Sequence, residues 1–135
     1  MSGANRLNAV IAQAMEARWQ YGTHDCTQFA IDCELALTGS THFPEFHRSY
    51  NTKSEGFMLL KRMGFRDSWS CVSSRLEEIS LKMVKRGDWI GHLAPGKSLA
   101  IAANEHEFWT AHNSGGIALQ PMGSAIKAWR LIDGR

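Results

Sequence analysis

The stretch "MVKRGDWIGHL", Met83 to Leu93, is where the texture of the chain changes. Before it, apolar residues recur at helical spacing; from Asp88 onward they come in short runs separated by turn residues. "DWIGHL", "SLAIAA", "FWTAH", "IALQPM" and "AWRLI" are divided by "APGK", "NEHE" and "NSGG". Apolar runs of that length, bounded by Gly, Pro and Asn, read as strands with tight connections, four or five of them and antiparallel. A sheet is therefore expected from about Asp88 to Ile132.

Upstream, Leu7, Val10, Ile11, Ala14 and Met15 follow the i, i+3, i+4, i+7, i+8 spacing of one buried helical face, which predicts a helix over 7–18. "QYGTHD" interrupts it. Cys26, Phe29, Ala30, Cys33 and Leu37 then repeat the spacing up to Gly39, a C-terminal cap residue, so a second helix is expected over 26–38. "STHFPEFHRSYNT" carries a proline and no period and reads as a loop. Ser54 can cap a short helix through Met63, closed by Gly64. Residues 65–86 are harder to read, with another short helix around "SWSCVSSRLEEI". Helices first and a meander afterwards give an α+β domain with the helices on one side of the sheet. At 135 residues and 44% hydrophobic content, the chain has enough for one core and too little for two ordinary domains.

The formal charge is +2, and the basic residues are scattered rather than gathered into a stripe, so nucleic acid is not an expected partner. No apolar run approaches the roughly 18 residues of a membrane span, and "MSGANRLNAV" lacks the order of a secretory signal. The expected place of synthesis and residence is the cytoplasm. Cys26, Cys33 and Cys71 match no zinc or redox spacing and are read as thiols.

Cys26 falls at a predicted helix N-terminus, where unsatisfied N–H groups and the helix dipole favour a thiolate. Equally, it continues the apolar face of its helix, as a small buried residue would. Cys33, on the same face, is expected in the core. Asp25 can cap the helix. His24, Cys26 and His112 fit no known metal-ligand pattern, so no metal and no cofactor are expected.

The order of parts resembles the NlpC-type papain-like cysteine peptidases and amidases, which cut peptidoglycan peptides. "HDCTQF" is similar to the Asp-Cys stretch that opens the family's nucleophile helix, at Asp25 and Cys26. "RGDWIGHL" is similar to its Gly-Asp strand opening, at Gly87 and Asp88, and "AWRLI" to its closing strand. The resemblance spans roughly residues 19 to 132 and implies a papain-like α+β fold with Cys26 as nucleophile. Two other members of the family's triad do not carry over: Ser98 in "KSLAIAA" stands where the base histidine is expected, and Thr110 in "FWTAHNSGGI" where a second polar residue, often histidine, should follow. Neither can act as a base near neutral pH. His112, two residues beyond Thr110, and His92, on the preceding strand, are the candidate replacements, and His24 is expected to line the cleft. Trp19, Tyr21, Trp89 and Trp109 either flank that cleft or fill the core; Trp129 reads as core.

The pattern "W..G.HDC..F", at Trp19, Gly22, His24, Asp25, Cys26 and Phe29, also resembles short proteins of bacteriophages and prophages that sit close to the NlpC type. That resemblance implies a virion tail component, with tail-tip or hub proteins as partners. Two readings follow: a hydrolase of peptidoglycan peptides using His112 or His92, or a tail-associated protein that keeps the scaffold without the chemistry.

Overall fold

Four α-helices precede or flank a six-stranded antiparallel sheet in the computed structural model, which describes residues 2–94 and 96–131. The helices are α1 (Gly3–Glu16), α2 (Cys26–Thr38), α3 (Lys53–Arg62) and α4 (Ser68–Arg75). The strands are β1 (Glu77–Ile79), β2 (Trp89–Leu93), β3 (Lys97–Ala102), β4 (Glu107–Ala111), β5 (Ile117–Pro121) and β6 (Ala125–Arg130). They lie in the order β1-β6-β2-β3-β4-β5. This is the α+β arrangement expected from the change of texture near Gly87.

Local chemistry sets the helix ends. Ser2 accepts a hydrogen bond from the Asn5 N–H, so α1 starts at Gly3 rather than Leu7, and it stops at Glu16. The second helix runs over 26–38 as read, between the Asp25 cap and Gly39 in the left-handed region. For α3 the cap is Thr52, not Ser54: Thr52 accepts from Glu55 N while Glu55 accepts from Asn51 N, a sidechain pair that fixes the first turn. Asp67 and Ser70 form a reciprocal capping box at α4. That helix ends at Arg75, and Glu77–Ile79, read above as part of a helix, is instead an edge strand paired with Arg130 to Ala128 of β6. Ile132 lies outside the described residues.

Both faces of the central strands are covered. On one, Trp89, Leu99, Ile101 and Trp129 pack with Leu7 and Ile11 of α1, Phe29, Ala30 and Cys33 of α2, and Trp69 and Val72 of α4. Gly91 belongs to this face, and a Cβ there would stand 2.9 Å from both the Trp129 and Trp69 rings. On the other, Ile90, Ala100, Ala102, Phe108, Ala125 and Ala128 form a second cluster with Val84, flanked by Ile79, Leu81 and Met122. Side chains alternate between faces along a strand, so each residue's neighbours identify its face.

Candidate functional site

The entry to α2 is built around one buried carboxylate. Asp25 Oδ1 accepts from Gln28 N at 2.8 Å, which caps the helix; Oδ2 accepts from Gly22 N and from the Tyr50 hydroxyl, both at 2.9 Å. Burial, then the Asp25 charge, pushes the Tyr50 phenol far up, so it stays a donor. Gly22 has φ of +85°, and a Cβ there would sit on the Tyr50 carbonyl oxygen. No other residue fits that turn.

The same helix holds a wall of the site through polar residues that the apolar spacing hid. Gln28 is buried, donates to Phe46 O and accepts from Arg48 N. Glu34, also buried, accepts from Thr41 Oγ1 and His42 N and meets the His42 ring. Arg75 closes the wall from α4: it donates to His42 O and Glu45 and lies over the rings of Phe43, Phe46 and Phe65. Residues 41–50 are thus fixed on α2, with Phe43, Phe46 and Tyr50 turned to an open depression of about 890 Å³. Glu34 was detectable as a charged residue between Cys33 and Leu35 inside a helix; Gln28, between Thr27 and Phe29, gave no such signal.

Cys26 opens α2 and lines that depression half-buried, whereas Cys33 and Cys71 are buried and all three are free thiols. Burial raises the Cys33 thiol strongly and the Cys71 thiol to about 11, which leaves both as inert core groups. Trp19, Tyr21 and Trp89 line the depression too; Trp89 is at the same time core, stacked on Phe43. Trp109 instead lies under Arg86, and Trp129 is fully buried.

Ser98, Thr110, His92 and His112 border the same depression, but their side chains do not gather at Cys26. His92 pairs with Ser98 across β2 and β3, and its ring lies against Phe108 with Nε2 3.3 Å from Thr110 Oγ1. Phe108 belongs to the second cluster, so His92, Ser98 and Thr110 project from the sheet face turned away from α2. The positions facing α2 are Leu99 and Ala111. His112 is exposed, and its Nδ1 is taken by the Ser114 N–H and hydroxyl. His24 is buried; its Nε2–H donates to Gly116 O at 2.9 Å, and its ring edge meets Phe29. Gly116 N donates in turn to Ala17 O, so His24 pins the β4–β5 turn to the ends of α1 and α2.

The family model described as "Domain of unknown function (DUF6950)" matches residues 2–131. The chain belongs to this DUF6950 family. No curated protein sequence matches it. Among the described residues of the DUF6950 chain, no helix is long and apolar enough to cross a membrane, and no three His, Cys, Asp or Glu side chains gather where a metal ion could bind.

Burial lowers the His92 pKa below its ordinary 6.5. The sign follows directly: above 6.5 the ring is neutral folded or unfolded, and the stability it permits is complete. As pH falls below that value the unfolded chain takes up the proton first, and stability is lost through the lower folded value. Urea unfolding of the wild type should therefore lose more stability between pH 7.5 and pH 5.5 than His92→Gln does. Equal losses would mean that His92 charges freely in the fold.

Proposed function

We propose that this DUF6950 chain is a papain-like module of the NlpC type that serves a bacteriophage or prophage tail by docking, with the cysteine position kept and the hydrolytic machinery gone. The one observation that carries this reading is that no imidazole is hydrogen-bonded to Cys26 among the described residues: one ring nitrogen of His24 is bonded to Gly116 O, one of His92 to Thr110 and one of His112 to Ser114. The resemblance at "HDC" and "RGDW" and the start of α2 at Cys26 beside an antiparallel sheet support the scaffold. An NlpC-type reaction needs a base to take the thiol proton and an acid to protonate the leaving amine, help worth roughly a hundred- to ten-thousand-fold. A helix N-terminus favours the thiolate and supplies neither transfer.

A hydrolase with His92 as base would need that ring brought to the opposite face of the sheet, and one with His112 would need the ring, held at Nδ1 by Ser114, to reach Cys26 through Nε2.

Purified protein incubated with peptidoglycan sacculi should release soluble peptides no faster than its Cys26→Ala variant. Release that depends on Cys26 would make the chain an enzyme and end the docking reading. For the tail, immunogold labelling of virions is expected at the tail tip; label confined to cell lysate and absent from particles would remove the virion role.

A further inference from the structure

We propose that the outer face of α3 is a docking surface for an acidic, amphipathic helical segment of a partner protein, with apolar residues at its centre and carboxylates on both sides. Lys53, Phe57 and Lys61 form one i, i+4, i+8 row, and Ser54, Met58 and Arg62 form the row beside it. All six are exposed, Phe57 by 52% and Met58 by 58%. The helix is attached by its other side: Gly56 lies against the Tyr50 ring, and Leu59 and Leu60 pack at the edge of the core. No residue of α3 is fully buried. So short a helix depends on packing for its stability, and Phe57 and Met58 add little to it from the free side.

Charge points to the occupant. Lys53, Lys61 and Arg62 have no carboxylate within ion-pair distance among the described residues, and Lys53 Nζ lies 5.8 Å from the centre of the Phe57 ring. Glu55, the carboxylate within α3, is turned to Asn51 N. Lys53 stands in the first turn, where the positive end of the helix dipole disfavours a cation, whereas Lys61 and Arg62 stand in the last turn, where a cation suits the dipole; Lys53 is therefore the charge that the helix dipole does not favour. A hollow between the rows is lined by Lys53, Ser54, Phe57, Met58 and Lys61, with apolar walls and a cation at each end. The two lysines lie about 12 Å apart along the axis, at about 1.5 Å per residue. A helix with central apolar side chains and carboxylates about one turn to either side matches that spacing. A second copy of this chain is a poor match, since no helix among the described residues carries apolar side chains between two free carboxylates: α1 has Glu16 alone, Asp32 and Glu34 of α2 are engaged with Arg48 and His42, and α3 has Glu55 alone. A lipid surface offers no side chain to fill a hollow.

This surface rests on the docking role proposed above and adjoins the depression beside Cys26, which Lys53 and Phe57 also line. Digestion of sacculi would remove that role, while peptide binding alone judges α3. The probe is a synthetic helical peptide with central leucines flanked by glutamates, titrated into ¹⁵N-labelled full-length protein. Shifts should be confined to α3 and its neighbours, and affinity should fall as salt rises from about 0.05 to about 0.3 M. Lys53→Glu with Lys61→Glu should weaken binding about five- to thirtyfold, and a lysine-flanked peptide should then bind that variant instead. Unchanged thermal melting shows that the variant is folded. Absence of shifts on α3 would overturn the assignment. So would sedimentation with phosphatidylglycerol vesicles without peptide binding, or a dimer abolished by Phe57→Ser with Met58→Ser.

Discussion

Asp25→Ala should lower the unfolding free energy by about 3 kcal/mol in urea titration, several times the effect of losing an ordinary cap. The cap alone accounts for about 1 kcal/mol. The remainder comes from the second oxygen, because Gly22 N and the Tyr50 hydroxyl both donate to Asp25 Oδ2 and would be left without an acceptor in the interior. A buried donor so abandoned costs roughly 1–3 kcal/mol. Asp25→Asn keeps an acceptor oxygen and should lose less than half as much, and Tyr50→Phe about 1 kcal/mol. Should Asp25→Ala cost no more than a surface cap, the three-way bond is not holding the turn. The consequence for the site is direct: Asp25 ties the start of the Cys26 helix to Tyr50, and through it to the wall of residues 41–50.

The helix that carries Cys26 was legible from sequence because both its ends are short-range chemistry. Asp25 bonds to a residue three positions on, and Gly39 supplies the left-handed turn by itself. The start of α3 was legible in principle: "TKSE", Thr52 to Glu55, has the spacing of a capping box, yet Ser54 competes with Thr52 as a cap by residue type alone. The strand β1 was not. Three residues, two of them glutamates, have no period to read, and their extended form comes from pairing with β6 some fifty residues later. The helical spacing of "SWSCV" simply ran on through them.

The side of the sheet on which each site residue stands was equally hidden. "SLAIAA" is apolar at nearly every position because both faces of β3 are covered: Leu99 and Ile101 by the helices, Ala100 and Ala102 by the second cluster. Without alternation, register cannot be read, and a shift of one residue moves every side chain to the other face. That is why Ser98 could be matched to a histidine position while its strand neighbour Leu99 is the one that faces α2. His24 was hidden differently. Its partner, Gly116 O, is 92 residues away, and nothing local distinguishes a histidine pinning a distant turn from one lining a cleft.

Arg130→Met should cost about 3 kcal/mol or more, although Arg130 lies on the last described strand and far from Cys26 in sequence. Asp88 is fully buried; its carboxylate accepts from Lys85 N at 2.8 Å, and the Arg130 guanidinium grips it through Nη2 at 2.8 Å and Nε at 3.2 Å. The same Nη2 also donates to Met83 O. The Asp88 backbone is engaged as well, its carbonyl accepting from Ala102 N, so one residue joins the turn before β2 to both β3 and β6. Losing the guanidinium takes both of its hydrogen bonds from a buried carboxylate that also accepts from Lys85 N, and stripping one partner from a buried pair typically costs about 3–5 kcal/mol. Because the penalty falls on the charge of the buried carboxylate, its removal should give much of the stability back. Asp88→Asn combined with Arg130→Met is therefore expected to be more stable than Arg130→Met alone, with a coupling of about 1–2 kcal/mol across the double-mutant cycle. Additive losses would show that the guanidinium packs against the turn as a hydrocarbon and bridge, and that its charge is not what the buried carboxylate requires.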